Sequence, residues 1–192
     1  MRWTLKPKPD VTKVEHLKDQ LQINDVIAAL LVQRGIETFH DAKHFFRPNL
    51  EDLHDPFLMK DMEVAVSRIE KAINSGEHIL VYGDYDVDGT SSVALMSTYL
   101  TTRTRTVATY IPDRYEEGYG VSYKGIDFAH DNDFSLIIAL DCGVKAIDKV
   151  LYAKNKGIDF IICDHHRPAA QLPGAVAVLD PKRQDCTYPY KE

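Results

Sequence analysis

From residue 78 onward the chain repeats one pattern: a short, almost wholly apolar run, a polar turn, then a longer stretch with apolar positions three and four apart. The runs are His78–Tyr82 (HILVY), Val107–Ile111, Leu136–Leu140 (LIIAL), Phe160–Cys163 (FIIC) and Ala175–Leu179 (AVAVL). Strands that are apolar on both sides need cover on both faces, which is the signature of a parallel sheet. Thr90–Thr101, Ser122–Asp131 and Lys145–Lys156 carry helical spacing between them. Asp61–Asn74 precedes the first run as an amphipathic helix, with Val64, Ile69 and Ala72 or Ile73 on one face and Ser75-Gly76 as its stop. Right-handed crossovers then predict an α/β fold, a doubly wound, mostly parallel sheet flanked by helices.

The chain before this alternation reads differently. Val14–Gln22 and Asp25–Arg34 have helical spacing, with Gly35 as a stop, and Asp41–Phe46 is a further short helix ended by Arg47-Pro48. Asn49–Asp61, with Pro56, reads as a linker. The expected organisation is an N-terminal helical arm over 1–56 and the α/β domain over 57–192.

The polar clusters follow the strands. GDYDVDG follows HILVY, Asp141-Cys142-Gly143 follows LIIAL, Asp164-His165-His166 follows FIIC and Asp180-Pro181 follows AVAVL. Ligands of open parallel sheets bind outside the carboxyl ends of the strands. Four acidic or imidazole clusters are therefore expected on one edge.

Composition narrows what that edge can do. With 44% hydrophobic and 27% charged residues the chain is ordinary globular protein. No apolar run approaches twenty residues, and MRWTLKPKPD has no apolar segment of a signal peptide, so no membrane partner and a cytoplasmic location are expected. Cys142, Cys163 and Cys186 show no paired spacing and read as free thiols of a reducing compartment. A net charge of −6 argues against a stand-alone nucleic-acid binder, but suits clustered carboxylates that take up divalent cations.

Extended backbone would point Asp84, Asp86 and Asp88 the same way, a costly arrangement unless cations neutralise it. Gly89 would release the chain into the next helix, with Thr90 as its cap. A solvated turn is the plain alternative. The D-x-D-x-D-G pattern is not a calcium loop of EF-hand type, because Leu95 stands where a bidentate Glu is needed and a strand precedes it. In Asp164-His165-His166, one imidazole can ligate a metal while its neighbour donates to a phosphate oxygen. Asp141 reads either as a bridging ligand or as a helix cap. Carboxylates with imidazole suit Mn2+ or Mg2+ better than a cysteine-rich zinc site. Two such ions could clamp a phosphodiester. No GxxxxGK[ST] stretch exists for a nucleotide-binding loop.

Together DYDVDGT, DCG and Asp164-His165-His166 resemble the DHH phosphoesterase family. Ile111-Pro-Asp-Arg-Tyr-Glu-Glu-Gly-Tyr-Gly-Val121, the Leu-x-x-Arg-Gly-Ile and Asp-Pro-Phe-x-x-x-Asp-Met stretches of the arm, and Asp180-Pro-Lys-Arg-Gln-Asp-Cys186 are similar to its RecJ-type branch. The resemblance implies Asp86, Asp88, Asp141 and His165 as metal ligands, with Asp141 bridging and catalytic, and Asp84 as a ligand or its partner. It implies His166 as a catalytic group at the scissile phosphate, Arg114 on a DNA phosphate, and Gly118 and Gly120 shaping the loop that carries Arg114.

The activity so implied is a two-metal, 5′-to-3′ exonuclease on single-stranded DNA in repair and recombination, with repair or single-strand-binding proteins as partners. Family members continue past this point with a further metal-binding Asp and a second, DNA-gripping domain. The chain is thus expected to be an N-terminal part whose own activity is open. Two other readings remain at this point: a phosphodiesterase for short oligonucleotides or cyclic dinucleotides, and an inactive scaffold, whose acidic ligands should have eroded.

Overall fold

The computed structural model describes residues 3–191 and divides the chain into two compact units between His54 and Asp55. The first unit is helical. Helices α1 (Val11–Leu21), α2 (Asp25–Val32) and α3 (Phe39–Phe46) enclose a small core of Leu17, Leu31, Val32 and Ala42. Side-chain caps set where they begin. Asp10 accepts from the amides of Thr12 and Lys13, Asn24 from Ile27, and Thr38 and Asp41 close a capping box on α3. Each cap satisfies an amide that the helix leaves unpaired, which is why α1 and α3 start earlier than their apolar spacing suggests. The expected linker carries two single 3-10 turns, Leu50–Asp52 at the end of this unit and Pro56–Leu58 at the start of the next.

The second unit contains α4 (Met62–Asn74), β1 (His78–Gly83), α5 (Val87–Thr101), β2 (Val107–Tyr110), α6 (Tyr123–Asp131), β3 (Phe134–Leu140), α7 (Ile147–Asn155), β4 (Asp159–Cys163) and β5 (Ala177–Leu179). All strand pairs are parallel and the sheet order is β2-β1-β3-β4-β5. Two core layers flank the sheet, as strands apolar on both faces require. Leu80, Tyr82, Ile137, Ala139, Phe160 and Ile162 face Ile126 and Ala129 of α6 and Val150 and Ala153 of α7. Ile79, Val81, Leu136, Ile138 and Ile161 face Ala65 and Ala72 of α4 and Val93 and Leu100 of α5. Each fully buried Ile, Leu or Val side chain contributes about 1.5–3 kcal/mol, so this sandwich dominates the stability of the unit.

One feature departs from the sequence reading. Helix α5 starts at Val87, not Thr90, and its cap is Asp86, whose Oδ1 accepts from the Gly89 amide at 3.0 Å. Asp84, Asp86 and Asp88 therefore do not alternate along an extended segment: Asp84 is buried at the strand end, and Asp88 lies in the first helical turn. The connection from β4 to β5 contains no helix.

The register brings the strand ends level. Gly83 pairs with Leu140, Leu140 with Cys163 and Cys163 with Leu179. The next residue on each strand is an aspartate: Asp84, Asp141, Asp164 and Asp180. The chain turns outward in opposite directions from β1 and β3, so a crevice opens between the first two of these residues.

Candidate metal centre

All four aspartates of this rim are buried, yet three of them keep an oxygen with no hydrogen-bond donor: Asp84 Oδ2, Asp141 Oδ1 and Asp180 Oδ2. Their other contacts are sparse. Asp84 Oδ1 accepts from the Gly120 amide at 3.4 Å, and Asp180 Oδ1 from the Lys182 amide at 2.7 Å. A buried carboxylate oxygen without a donor is unfavourable unless a cation reaches it. This is the observation that fits the donor set to a divalent ion, since oxygen-rich sites with imidazole suit Mn2+ and Mg2+.

Asp141 is the centre of the arrangement. Its backbone sits at φ +60°, a region that residues other than glycine rarely adopt, and its amide donates to the Cys163 carbonyl at 2.8 Å. Nε2 of His165 lies 3.0 Å from Asp141 Oδ1, off the angle of a hydrogen bond. Two ligand-type atoms thus face the same space. Burial, and then the neighbouring Asp86 carboxylate, push the Asp141 carboxyl above its ordinary range, whereas the Gly89 amide holds Asp86 below it. The two carboxylates share one site, and a cation there would offset both the burial of Asp141 and its repulsion by Asp86. Burial also raises the Asp180 carboxyl.

Asp164 behaves differently from its three neighbours on the rim. Oδ2 accepts from the Val144 amide at 3.0 Å, and Oδ1 accepts from the amides of His165 and His166 and contacts His166 Nδ1 at 2.8 Å. Burial alone would raise its carboxyl, but these donors hold it below the ordinary range. It is an orienting group: it fixes the turn after β4 and the His166 ring. Ligand-type atoms of Asp141, His165 and His166 all lie within 4.8 Å of one another.

The loop 112–121 supplies the opposite wall. Gly118 and Gly120 both have φ near +80°, and the Cβ of any other residue would be strained there. The reversal presents Tyr119, whose hydroxyl lies 3.1 Å from His166 Nε2. Glu117 anchors the loop. Its Oε1 accepts from the Asp113 amide at 2.9 Å, and its Oε2 accepts from the Tyr110 and Ser122 hydroxyls. Arg114 is exposed and stacks its guanidinium 4.3 Å over the Tyr85 ring, beside the rim. An open groove of about 880 Å³ leads from Asp88, Asp141 and His165 over Met62, Ile69 and Met96.

Gly89 shows how tightly the rim is built. A Cβ there would collide with the Asp84 carbonyl oxygen, so the start of α5 lies against the backbone of a rim aspartate.

A model of the DHH family, N-terminal domain, matches residues 78–188. The chain belongs to the DHH family. Over all 192 residues it is 43% identical to the single-stranded-DNA-specific exonuclease RecJ of Bacillus subtilis (strain 168), covering 24% of that protein. Over 134 residues, 69% of the chain, it is 36% identical to the protein of the same name from Escherichia coli (strain K12), covering 23% of it. The chain thus spans about a quarter of the length of the curated relatives it matches.

Among solved structures, a crystal structure of exonuclease RecJ bound to manganese superimposes with a TM-score of 0.65 at 29% identity, over 72% of this chain and 35% of that one. RecJ of Thermus thermophilus in complex with Mn2+ has a TM-score of 0.68 over 97% of this chain and 26% of its own, and at 23% identity it supports the fold alone. The expected α/β fold with its parallel sheet and preceding helices is the observed one.

Of the residues singled out in the sequence, the structure brings Asp84, Asp86, Asp88, Asp141, His165 and His166 to this rim, with Gly118 and Gly120 in the facing loop and Arg114 above Tyr85. It gives Asp164 an orienting role and Asp180 a donorless oxygen, and it adds Tyr119 on His166 and Glu117. Asp180 carried a signal, as the first polar residue after an apolar run. Tyr119 carried only the two glycines around it.

Proposed function

We propose that this DHH-family chain is the metal-binding part of a 5′-to-3′ exonuclease that hydrolyses single-stranded DNA in repair and recombination. The observation that carries the reading is the set of buried, donorless carboxylate oxygens on Asp84, Asp141 and Asp180 beside the Asp141, His165 and His166 cluster. The single-strand preference rests on the likeness to the two RecJ exonucleases.

Asp86, Asp88, Asp141 and His165 would hold two Mn2+ or Mg2+ ions, with Asp141 between them and Asp84 as a further ligand or its support. Such ions supply Lewis-acid polarisation of the phosphodiester and neutralise charge that develops on its oxygens. The protein's own groups do the rest. Asp164 holds Nδ1 of His166 at 2.8 Å and so orients the ring toward a phosphate oxygen. Arg114 binds a neighbouring phosphate, and the turns at Gly118 and Gly120 set its reach. Repair and single-strand-binding proteins are the proposed partners, with the cytoplasm as the location. The arm over 1–56 and the domain over 57–192 are the proposed division of labour.

The test is calorimetric titration of Mn2+ into the chain, run beside cleavage of 5′-phosphorylated single-stranded DNA and of a dinucleotide. Metal uptake that Asp141→Ala abolishes supports the site, and faster loss of the long strand supports the exonuclease. Absence of Mn2+ binding would refute the ligand assignment, and preference for the dinucleotide would refute the substrate.

A further inference from the structure

Away from the rim, a second set of metal-binding groups lies on α3. His40 and His44 are four residues apart on that helix, a spacing that stacks side chains on one face. Their rings lie 4.3 Å apart between centroids, and the two Nε2 atoms face each other at 3.1 Å. Two nitrogens bound to one zinc ion at about 2.0–2.1 Å lie roughly 3.3 Å apart at the tetrahedral angle. The helix already holds the pair close to that separation.

A third group orients one ring. Asp52 Oδ1 lies 3.2 Å from His44 Nδ1, while Asp52 Oδ2 accepts from the Asn49 amide at 2.9 Å. The carboxylate is itself fixed by the turn it caps, and it stands beside Nδ1 of the His44 ring. Nε2 is the ring atom that faces His40. A carboxylate behind an imidazole is the usual support of a metal-bound histidine. Both rings are exposed, so an ion from solvent can reach them without any opening of the core.

We propose that His40 and His44 form a two-imidazole site for a borderline first-row transition ion, zinc, nickel or copper(II), with Asp52 as the orienting carboxylate. Two nitrogens and no protein oxygen on the ion itself select these ions over Mn2+ and Mg2+, which favour oxygen-rich sites. The site is thereby chemically distinct from the carboxylate-rich rim and does not depend on the nuclease reading. Bound metal would staple the last turn of α3.

The experiment titrates zinc chloride into the metal-free chain and reads calorimetry together with nitrogen-edited spectra of the histidine rings, which resolve His40 and His44 from His165 and His166. The expected result is that the Nε2 signals of His40 and His44 shift together and saturate as one event, reversed by a chelator. His40→Ala and, independently, His44→Gln each remove that event. Asp52→Asn weakens it about tenfold. Asp141→Asn leaves it in place. Unmoved His40 and His44 signals while His165 responds would overturn the proposal, as would an event that survives both histidine substitutions. The pair would then be an imidazole–imidazole hydrogen bond only.

Discussion

At Asp141 the backbone occupies the left-handed region while the side chain is buried beside Asp86 and His165. Removing the carboxylate therefore does two different things, depending on the replacement. Asparagine tolerates φ +60° and keeps the shape, whereas alanine pays about 1–2 kcal/mol for that backbone. Asp141→Asn is expected to leave metal-free stability equal or about 1 kcal/mol higher, because it removes a repelling buried charge, and to abolish Mn2+ uptake. Asp141→Ala is expected to lose both uptake and stability. Denaturant unfolding with calorimetry on the two variants separates these effects, and an asparagine variant that still binds Mn2+ would refute the central role of this carboxylate. Gly89→Ala tests the adjoining contact. The added methyl collides with the Asp84 backbone, so the variant should be destabilised by more than about 2 kcal/mol and should lose Mn2+ through displacement of Asp84. Wild-type melting and metal affinity would show that α5 yields instead.

Elements are tied together at the end of the sheet opposite the rim. Arg68 of α4 pairs with Glu77 at 2.6 Å and with Asp159 of β4 at 2.7 Å, and Ser135 of β3 donates to the same Glu77 oxygen. Burial would raise the Glu77 carboxyl, but Ser135 and Arg68 together hold it below its ordinary 4.5. A carboxyl with a lowered folded value stabilises above its unfolded value and loses that contribution as pH falls through the folded one. Glu77→Gln should cost about 2 kcal/mol at pH 7, and the gap to wild type should close as pH drops from about 4.5. Denaturant midpoints across that window check it, and a gap that stays constant with pH would show that charge plays no part.

The same elements show what can be read from a sequence. HILVY, LIIAL, FIIC and AVAVL were legible as strands because a parallel sheet buries both faces, and the rim aspartates because the polar residue after such a strand has one place to go. The start of α5 was not. Asp86-Val87-Asp88 looks extended until Asp86 Oδ1 takes the Gly89 amide, a local hydrogen bond that outweighs alternation. Tyr119 on His166 was not legible either, since the two lie 47 residues apart and meet only after the fold is made.

For the whole molecule, net charge and metal act together. The chain carries −6, part of it packed into donorless buried carboxylates. A divalent ion that binds only the folded chain adds about 2.7 kcal/mol of stability at a hundred times its dissociation constant. Melting in Mn2+ should therefore rise by several degrees over melting in a chelator, and Asp141→Asn should erase the rise. An equal rise in the variant would place the ion elsewhere. The level strand ends have a last consequence. The groups that would do chemistry line one rim of the sheet, and the Arg68 clamp sits at the other. A rim variant such as Asp141→Asn can lose its chemistry while its sheet stays intact, so a screen that ranks variants by yield or by melting without metal would score such lesions as healthy. Only the size of the metal-dependent shift would expose them.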